Sequence, residues 1–478
     1  MSKKFYITTT LPYVNAEPHI GFALEIVQAD VIARHYRQLG YDVFFNTGTD
    51  EHGLKIFRKA QKENLKTKNY CDLLVKRFKN LKKALNLSYN SFIRTTDSEH
   101  IKAAQEFWRR CDKNGDIYKK DYKVKYCVGC ELEKTNSELL DGKCPIHPDQ
   151  KIEIIQEENY FFRYSKYEKK LLKLYQKNPH FVLPKSRLNE IKKFTRQVLK
   201  DFSISRLKEK MPWGIPVPGD KKHVMFVWFD ALINYVSCLG WPKNLKKFND
   251  FWPGFQVAGK DNLRQQSSMW QAMLLSAGLS PSLQIFIHGF INVAGQKMSK
   301  SLGNVIDPLE LVKKYKTDTV RYFLLREIPS TEDGDFTYEK FEQRYDSDLA
   351  KGLGNLVARV VTLAEKIEPK NKKSKKIQNS VFRSAVNKAE KDCRKALSEF
   401  KFNESLLALW RIIGFCDKYI EREKPWQKNH KQKKVISDLL LALGKIAELL
   451  KPFLPETSKK ISETIEKKES RPLFPRLK

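Results

Sequence analysis

An α/β fold built on a parallel sheet, interrupted by a cysteine-bearing insertion and followed by an all-helical tail, is predicted by three observations. Short apolar strands alternate with helical stretches over the first 115 residues. The alternation resumes after about residue 222, and helical spacing runs almost to the end beyond Asp307. At 478 residues the chain is too long for one core, and its 41% hydrophobic content suffices for several. No apolar run reaches the length of a membrane span, and MSKKFYITTT leads into a strand without a secretory leader. A cytoplasmic protein with no membrane partner is expected. Its eight cysteines then stay reduced, so a spaced cluster reads as metal ligands rather than disulfides. The formal net charge of +33 points to a polyanion such as nucleic acid, although the lysines spread through helices and linkers as they do on ordinary solvated faces.

The first strand is Phe5–Thr10. Leu11–Phe22, LPYVNAEPHIGF, then opens a helix whose apolar residues are Ala23, Leu24, Val27, Ala29, Val31 and Ile32. Backbone N–H groups at such a helix start favour phosphate. Gly21 leaves room for a nucleotide, and His19 adds a donor. A sharp βα turn with a surface histidine looks the same from this stretch alone. Asp42–Asn46 reads as the second strand, ending in TGTDEHG at Thr47–Gly53, and Ser91–Thr95 as the third. Parallel sheets collect ligands at strand carboxyl ends, where both motifs lie.

From about Gly115 to Lys222 the chain is charged and turn-rich, which marks an insertion. His223–Trp228 and Gly254–Ala258 read as strands, Asp261–Ala277 as a helix, Leu283–His288 as a strand and Gly289–Asn304 as a basic loop. Glu310–Tyr315, Thr319–Arg326 and Tyr338–Ile367 have helical spacing. The charged connection Pro369–Lys376 joins them to helices around Val381–Phe400, Asn403–Glu423 and Val435–Leu450, a bundle. The expected divisions are 1–115 and 223–300 for two halves of a sheet domain, 116–222 for the insertion, 301–345 for a connecting region and 346–478 for the bundle.

Two stretches carry chemistry. Cys127-x2-Cys130 and Cys144-x2-His147, thirteen residues apart, are two short-range pairs of the kind that grip a tetrahedral Zn²⁺, with Gly129 and Pro145 suited to the turns. Four protein ligands leave no open position, so one structural zinc is expected. Cys71, Cys111, Cys238, Cys393 and Cys416 lack such pairing and read as core residues. The second stretch, GQKMSKSLGN at Gly295–Asn304, brings Lys297, Ser299, Lys300 and Ser301 together; two lysines flanking a small hydroxyl residue can close on a triphosphate.

PHIG followed by KMSKS resembles the paired HIGH and KMSKS signatures of class I aminoacyl-tRNA synthetases. Phe22 stands where the family usually has His. Within that class the chain resembles the methionyl-tRNA synthetases from about Lys4 to Trp426. The matching pieces are LPYVNAEPHIG, TGTDEHG, the Cys127–His147 cluster, SISR at Ser203–Arg206, Met211–Pro216, VWFDALINY at Val227–Tyr235, GKDN at Gly259–Asn262, KMSKSLGN, GNLVAR at Gly354–Arg359 and KPW at Lys424–Trp426.

The resemblance implies a Rossmann-like parallel-sheet catalytic domain with a zinc-binding insertion, followed by an α-helical bundle that binds the anticodon. It implies activation of methionine with ATP and Mg²⁺, then transfer to the terminal ribose of initiator and elongator tRNA(Met). His19, Lys297 and Lys300 would act on the phosphates, with Gly21, Ser299 and Ser301 completing the ATP site. Leu11, Tyr13, Trp228, Ala231, Leu232, Tyr235 and Trp270 would form the methionine pocket, suited to an unbranched thioether. Asp50 and Asp261 would face the substrate ammonium group. Gln266 stands where the family often carries His; it hydrogen-bonds but takes no positive charge. Asn355, Arg359 and Trp426 match positions that read the anticodon, where an indole stacks on unpaired bases. With no appended tRNA-binding barrel after the bundle, a monomer is expected. A relative that binds tRNA without adenylation, or a class I ligase for another amino acid, would keep much of this pattern.

Overall fold

Residues 3–130, 132–134, 136–197, 199–298, 303–366, 376–427, 431–467, 469 and 472–475 are described by a computed structural model of the chain. The chain divides into two compact units. One comprises residues 1–18, 39–80 and 89–287, and the other 19–38, 81–88 and 288–478.

The first unit is built on a six-stranded sheet. Its strands, in spatial order, are Ser91–Arg94, Asp42–Thr49, Lys4–Thr9, Phe255–Gly259, Gln284–His288 and Val182–Leu183. Lys4–Thr9 runs parallel to Asp42–Thr49 and to Phe255–Gly259, Asp42–Thr49 parallel to Ser91–Arg94, and Gln284–His288 parallel to Val182–Leu183. The predicted alternation of strand and helix is therefore a parallel sheet with crossovers. Its strands are nearly continuous apolar runs, as a sheet covered on both faces requires: Phe5, Tyr6 and Ile7 are all buried. Val182–Leu183 joins this sheet although two residues are too few to carry a period.

The apolar run HVMFVW does not form one strand. Asp220–Met225 is a strand, but it pairs antiparallel with Ser205–Leu207 in a separate three-stranded sheet. Phe226 is extended, and Val227–Ala231 is helical, so Trp228 sits on a helix. A short buried apolar run has no period that separates strand from helix, and tertiary packing decided. The long hairpin of Ile117–Cys127 and Glu153–Phe162 carries the cysteine cluster at its far end, with Leu132–Lys134 beside Cys127.

The second unit is mostly helical. Its helix Ile20–Gln38 belongs with Pro308–Tyr315, Thr317–Arg326 and the bundle helices Asn355–Lys366, Ser380–Ser398, Phe402–Glu423, Gln432–Leu450 and Pro455–Lys467. Phe402–Glu423 buries Leu406, Leu409, Ile413, Cys416 and Ile420, a stripe at spacings of three and four. Phe382 stacks on Tyr419 with ring centroids 4.4 Å apart. The predicted helix over Tyr338–Ile367 is divided by a π-helical segment, Tyr345–Gly354. The predicted loop over Gly289–Asn304 begins instead as a small hairpin, Ile291–Val293 with Gln296–Lys297, turned by positive φ at Ala294 and Gly295. Among the described residues no helix is long and apolar enough to cross a membrane.

One buried guanidinium joins three parts of this unit. Arg321 donates from Nε to the Phe453 carbonyl (2.7 Å), from Nη1 to the Leu85 carbonyl (3.0 Å) and from Nη2 to the Pro452 carbonyl (3.0 Å). Its Nη1 also lies 2.9 Å from Asp30 Oδ2, both side chains being inaccessible to solvent. Asp30 accepts further bonds from Arg34 Nε (2.7 Å) and from the backbone and hydroxyl of Ser88 (2.6 Å each). Burial opposes the Asp30 carboxylate, but Arg321 and Arg34 outweigh it and hold its pKa below 3.8.

Candidate active site and metal centre

The residues predicted for the amino-acid pocket all belong to the sheet unit. At the carboxyl ends of the first two strands the backbone bridges Tyr13 to Asp50: Asp50 N–H donates to the Pro12 carbonyl and Val14 N–H to the Asp50 carbonyl, both at 3.0 Å. The Tyr13 hydroxyl donates to the His52 carbonyl at 2.6 Å. Tyr13 and Trp228 pack against one small apolar cluster of Tyr126, Phe226 and Val227. Ala231 and Leu232 are buried on the same short helix end as Trp228, while Leu11 is half-buried.

Deeper in the unit, Gln266 Nε2 donates to the Tyr235 hydroxyl at 2.8 Å, and the Gln266 Oε1 accepts from Gln256 Nε2 at 3.4 Å. Ser282 Oγ donates to Gln256 Oε1 at 2.8 Å. A directed chain of buried donors therefore ends on Tyr235, whose ring meets Trp270 edge-on at 5.8 Å. The Trp270 Nε1 is buried without a hydrogen-bond partner among the described residues. Where one continuous helix is predicted over Asp261–Ala277, the segment Gln265–Met269 is a π-helix, a local widening of the helix often found at functional sites. Asp261 is exposed, on the turn Lys260–Asn262.

Sequence reasoning missed a buried triad beside these residues. Asp230 lies between two imidazoles, with His52 Nδ1 2.7 Å from its Oδ2 and His100 Nε2 3.0 Å from its Oδ1; His100 Nδ1 lies 2.9 Å from Ser237 Oγ. Burial opposes the Asp230 carboxylate, and the imidazoles hold its pKa below the ordinary value. The triad pins the helical turn that carries Trp228 and Ala231. His52 and Asp230 both stand inside quoted motifs, TGTDEHG and VWFDALINY, which was the available signal.

The described residues predicted to bind phosphate belong to the helical unit. His19 immediately precedes the helix Ile20–Gln38, and Gly21 is its second residue. The Gly21 N–H donates to His19 Nδ1 at 3.1 Å, so the imidazole caps the helix with one nitrogen. Accepting at Nδ1 places the proton of the neutral ring on Nε2. A Cβ at Gly21 would lie 3.0 Å from the His19 ring and 3.4 Å from Met298 Cε, so this glycine makes room for its own histidine. Phe22 is half-buried one residue on. Lys297 is exposed at the end of the small hairpin, with Nζ 5.9 Å from the Phe290 ring centroid. Ser299, Lys300 and Ser301 lie outside the described residues.

The predicted metal ligands are brought together. One donor atom from each of Cys127, Cys130, Cys144 and His147 lies within 4.8 Å of all the others. Cys130 Sγ is 3.3 Å from His147 Nδ1 and 3.5 Å from Cys144 Sγ. A tetrahedron with Zn–S near 2.3 Å has edges of about 3.8 Å, so three sulfurs and one imidazole nitrogen fit zinc. Burial opposes the Cys144 thiolate, but the backbone N–H groups of Ile146 and His147 hold its pKa below the ordinary value. Gly129 is required here, since a Cβ would lie 2.5 Å from the His147 ring.

In the bundle Asn355 is exposed at the first turn of Asn355–Lys366, with Arg359 one turn on. The Arg359 guanidinium lies 5.5 Å from the ring centroid of Trp426, an indole left 50% exposed. An exposed tryptophan held by an arginine is a platform for an unpaired base.

A family model described as tRNA synthetases class I (M) matches residues 5–153 and 133–361, and one described as the anticodon-binding domain of tRNA ligase matches 379–475. The chain is 42% identical to the methionine–tRNA ligase of Caldanaerobacter subterraneus, over 97% of this chain and 74% of that one. It is 38% identical to that of Brucella suis, over 97% and 92%. Among solved structures, Mycobacterium tuberculosis methionyl-tRNA synthetase in complex with methionyl-adenylate superimposes with a TM-score of 0.90 at 36% identity, covering 96% of this chain and 93% of that one. The apo form of the same enzyme gives 0.83 at 32% identity, over 100% and 99%. Similarity of this depth over nearly the whole length means that the chain belongs to the methionine–tRNA ligases, a family of class I tRNA synthetases.

Proposed function

We propose that the chain activates methionine with ATP and transfers it to the 3′-terminal ribose of initiator and elongator tRNA(Met). The observation that carries this reading is the similarity over 96% of the chain to a structure holding methionyl-adenylate, joined to the buried group of Tyr235, Gln266 and Trp270. An uncharged thioether suits such a dry aromatic site. In the first step a methionine carboxylate oxygen attacks the ATP α-phosphate, and pyrophosphate leaves. In the second a ribose hydroxyl attacks the acyl carbon, and AMP leaves.

Neither step needs a nucleophile from the protein, so orientation and charge stabilisation carry the rate. Tyr13, Trp228, Ala231, Leu232, Tyr235, Gln266 and Trp270, with Leu11, hold the side chain; Asp50 and Asp261 take the ammonium group. His19 Nε2 donates a hydrogen bond to the phosphates and Lys297 and Lys300 neutralise them, with Mg²⁺ arriving on ATP. Cys127, Cys130, Cys144 and His147 would hold one zinc, whose contribution is to fold the end of the hairpin. Asn355, Arg359 and Trp426 read the anticodon.

Methionine-dependent exchange of labelled pyrophosphate into ATP tests the first step directly. Exchange with methionine and none with leucine or valine is expected. A protein that binds tRNA(Met) yet gives no exchange at saturating methionine and Mg²⁺ would be a non-adenylating relative, and the enzyme reading would fall.

A further inference from the structure

The hairpin that carries Lys297 is held by side chains from far along the chain. Its turn is Ala294–Gly295, with φ of 51° at Ala294 and 73° at Gly295. Two-residue hairpin turns with positive φ at both positions favour Asn-Gly, and an alanine there sets its Cβ against the backbone. The turn therefore needs support from outside itself. It comes from the strand Gly334–Phe336, which runs parallel to Ile291–Val293 with Asp335 opposite Asn292. The Phe336 carbonyl accepts from the Ala294 N–H at 3.1 Å, and Asp335 Oδ1 accepts from the Gly295 N–H at 2.7 Å.

The same segment holds the other end of the hairpin. Asp333 Oδ1 accepts from the Phe290 N–H, and the Phe290 carbonyl accepts from the Gly334 N–H, both at 2.9 Å. Phe290 carries the ring that lies 5.9 Å from the Lys297 ammonium. On the return arm Lys297 stands opposite Asn292, and its carbonyl accepts from Asn304 Nδ2 at 3.3 Å. The place of Lys297 is thus inherited from the turn. The supporting strand is itself anchored by Phe336, fully buried with its ring 5.4 Å from that of Phe323 and 6.0 Å from that of Phe341. Asp335 Oδ2 accepts from Lys340 Nζ at 3.1 Å. Burial opposes the Asp335 carboxylate, but the Gly295 N–H and Lys340 outweigh it and hold its pKa below the ordinary value.

We propose that Asp335 is a positioning residue for the phosphate step: by holding the Ala294–Gly295 turn it sets where Lys297 stands when ATP is bound. Asp335 touches no substrate and acts only through the hairpin. A lysine offered from a misplaced turn meets the developing charge less well, and the loss falls on rate rather than on methionine affinity. The inference rests on the phosphate role proposed above for Lys297.

The test measures pyrophosphate exchange and melting temperature in Asp335→Ala, Asp335→Asn, Lys297→Ala and the double variants Asp335→Ala/Ala294→Asn and Asp335→Ala/Lys297→Ala. Asp335→Ala is expected to lower kcat about tenfold with the KM for methionine unchanged. Asp335→Asn keeps an oxygen for the Gly295 N–H and should stay within about threefold of the wild type. Asn at position 294 favours the turn unaided, so Asp335→Ala/Ala294→Asn should also recover to within about threefold. In the Lys297→Ala background, Asp335→Ala should cost nothing further, because the two residues act as one. An unchanged rate in Asp335→Ala, no recovery with Ala294→Asn, or losses that multiply in the double variant with Lys297→Ala overturns the proposal. So does a joint fall in melting temperature and in every kinetic constant, which would make Asp335 a support of the fold. Lys297→Ala exchanging at the wild-type rate would remove the phosphate role of Lys297 and this inference with it. A slow Lys297→Ala with multiplying losses would leave that role standing and overturn the Asp335 inference alone.

Discussion

The groups proposed to hold the amino acid and the phosphates are built in opposite ways. Tyr235, Gln266 and Trp270 are buried, and a directed chain from Ser282 through Gln256 fixes the donor that reaches Tyr235. His19 and Lys297 are exposed, and the His19 ring accepts from the backbone N–H of Gly21, two residues on. The difference follows from what each must recognise. A thioether is distinguished from other apolar side chains only by shape and by polar atoms held in a dry wall, which requires neighbours that do not move. A triphosphate carries enough charge to be found by cations that water still reaches, and these contribute most when they meet charge developing in the transition state.

Breaking the two groups separately should therefore change different constants. Lys300→Ala should slow pyrophosphate exchange about a hundredfold or more with the KM for methionine little altered, as expected for one lost charge-stabilising donor. An unchanged rate would remove Lys300 from the chemistry. Gln266→Leu should raise the KM for methionine about tenfold and leave that for ATP unchanged, because Tyr235 loses its donor and the Gln256 amide is stranded. If both constants rose together, Gln266 would be supporting the whole fold. Gly21→Ala brings a methyl to 3.0 Å from the His19 ring and should cost about fivefold in exchange through displacement of the imidazole. An added nearby effect on methionine would contradict the separation. The smallest change is expected for Phe22→His, within about twofold, since the lysines already supply the positive charge. A large gain would mean that the family histidine had been lost without replacement.

Much of this was legible because ligand chemistry fixes spacing. Two close pairs of sulfur and imidazole donors announce a tetrahedral site before any fold is known, and the four side chains do converge. The parallel sheet was legible from strands alternating with helices. The unread parts have a common physical cause, in that tertiary partners far apart in sequence decided them. HVMFVW breaks at Phe226 because its two halves pack in different surroundings, and a six-residue apolar run has no period to reveal this. Val182–Leu183 becomes a strand only through Gln284–His288, a hundred residues on. Asp230 and its two histidines are polar side chains whose partners come from distant segments, and local patterning carries no trace of such pairings.

Arg321 bears on how this protein can be divided for experiment. The helical unit is assembled from three separate stretches of chain, and the guanidinium holds them through Asp30 in the first, Leu85 in the second and Pro452 and Phe453 in the last. A fragment beginning at His288 would contain the whole bundle yet lack Asp30, the carboxylate 2.9 Å from Arg321, leaving that buried cation with Asp318 alone to offset its charge. Such a fragment should be recovered poorly and unfold readily. Supplying a peptide that spans residues 19–38 in trans should restore it, as complementation of a cut protein rather than as binding of a ligand.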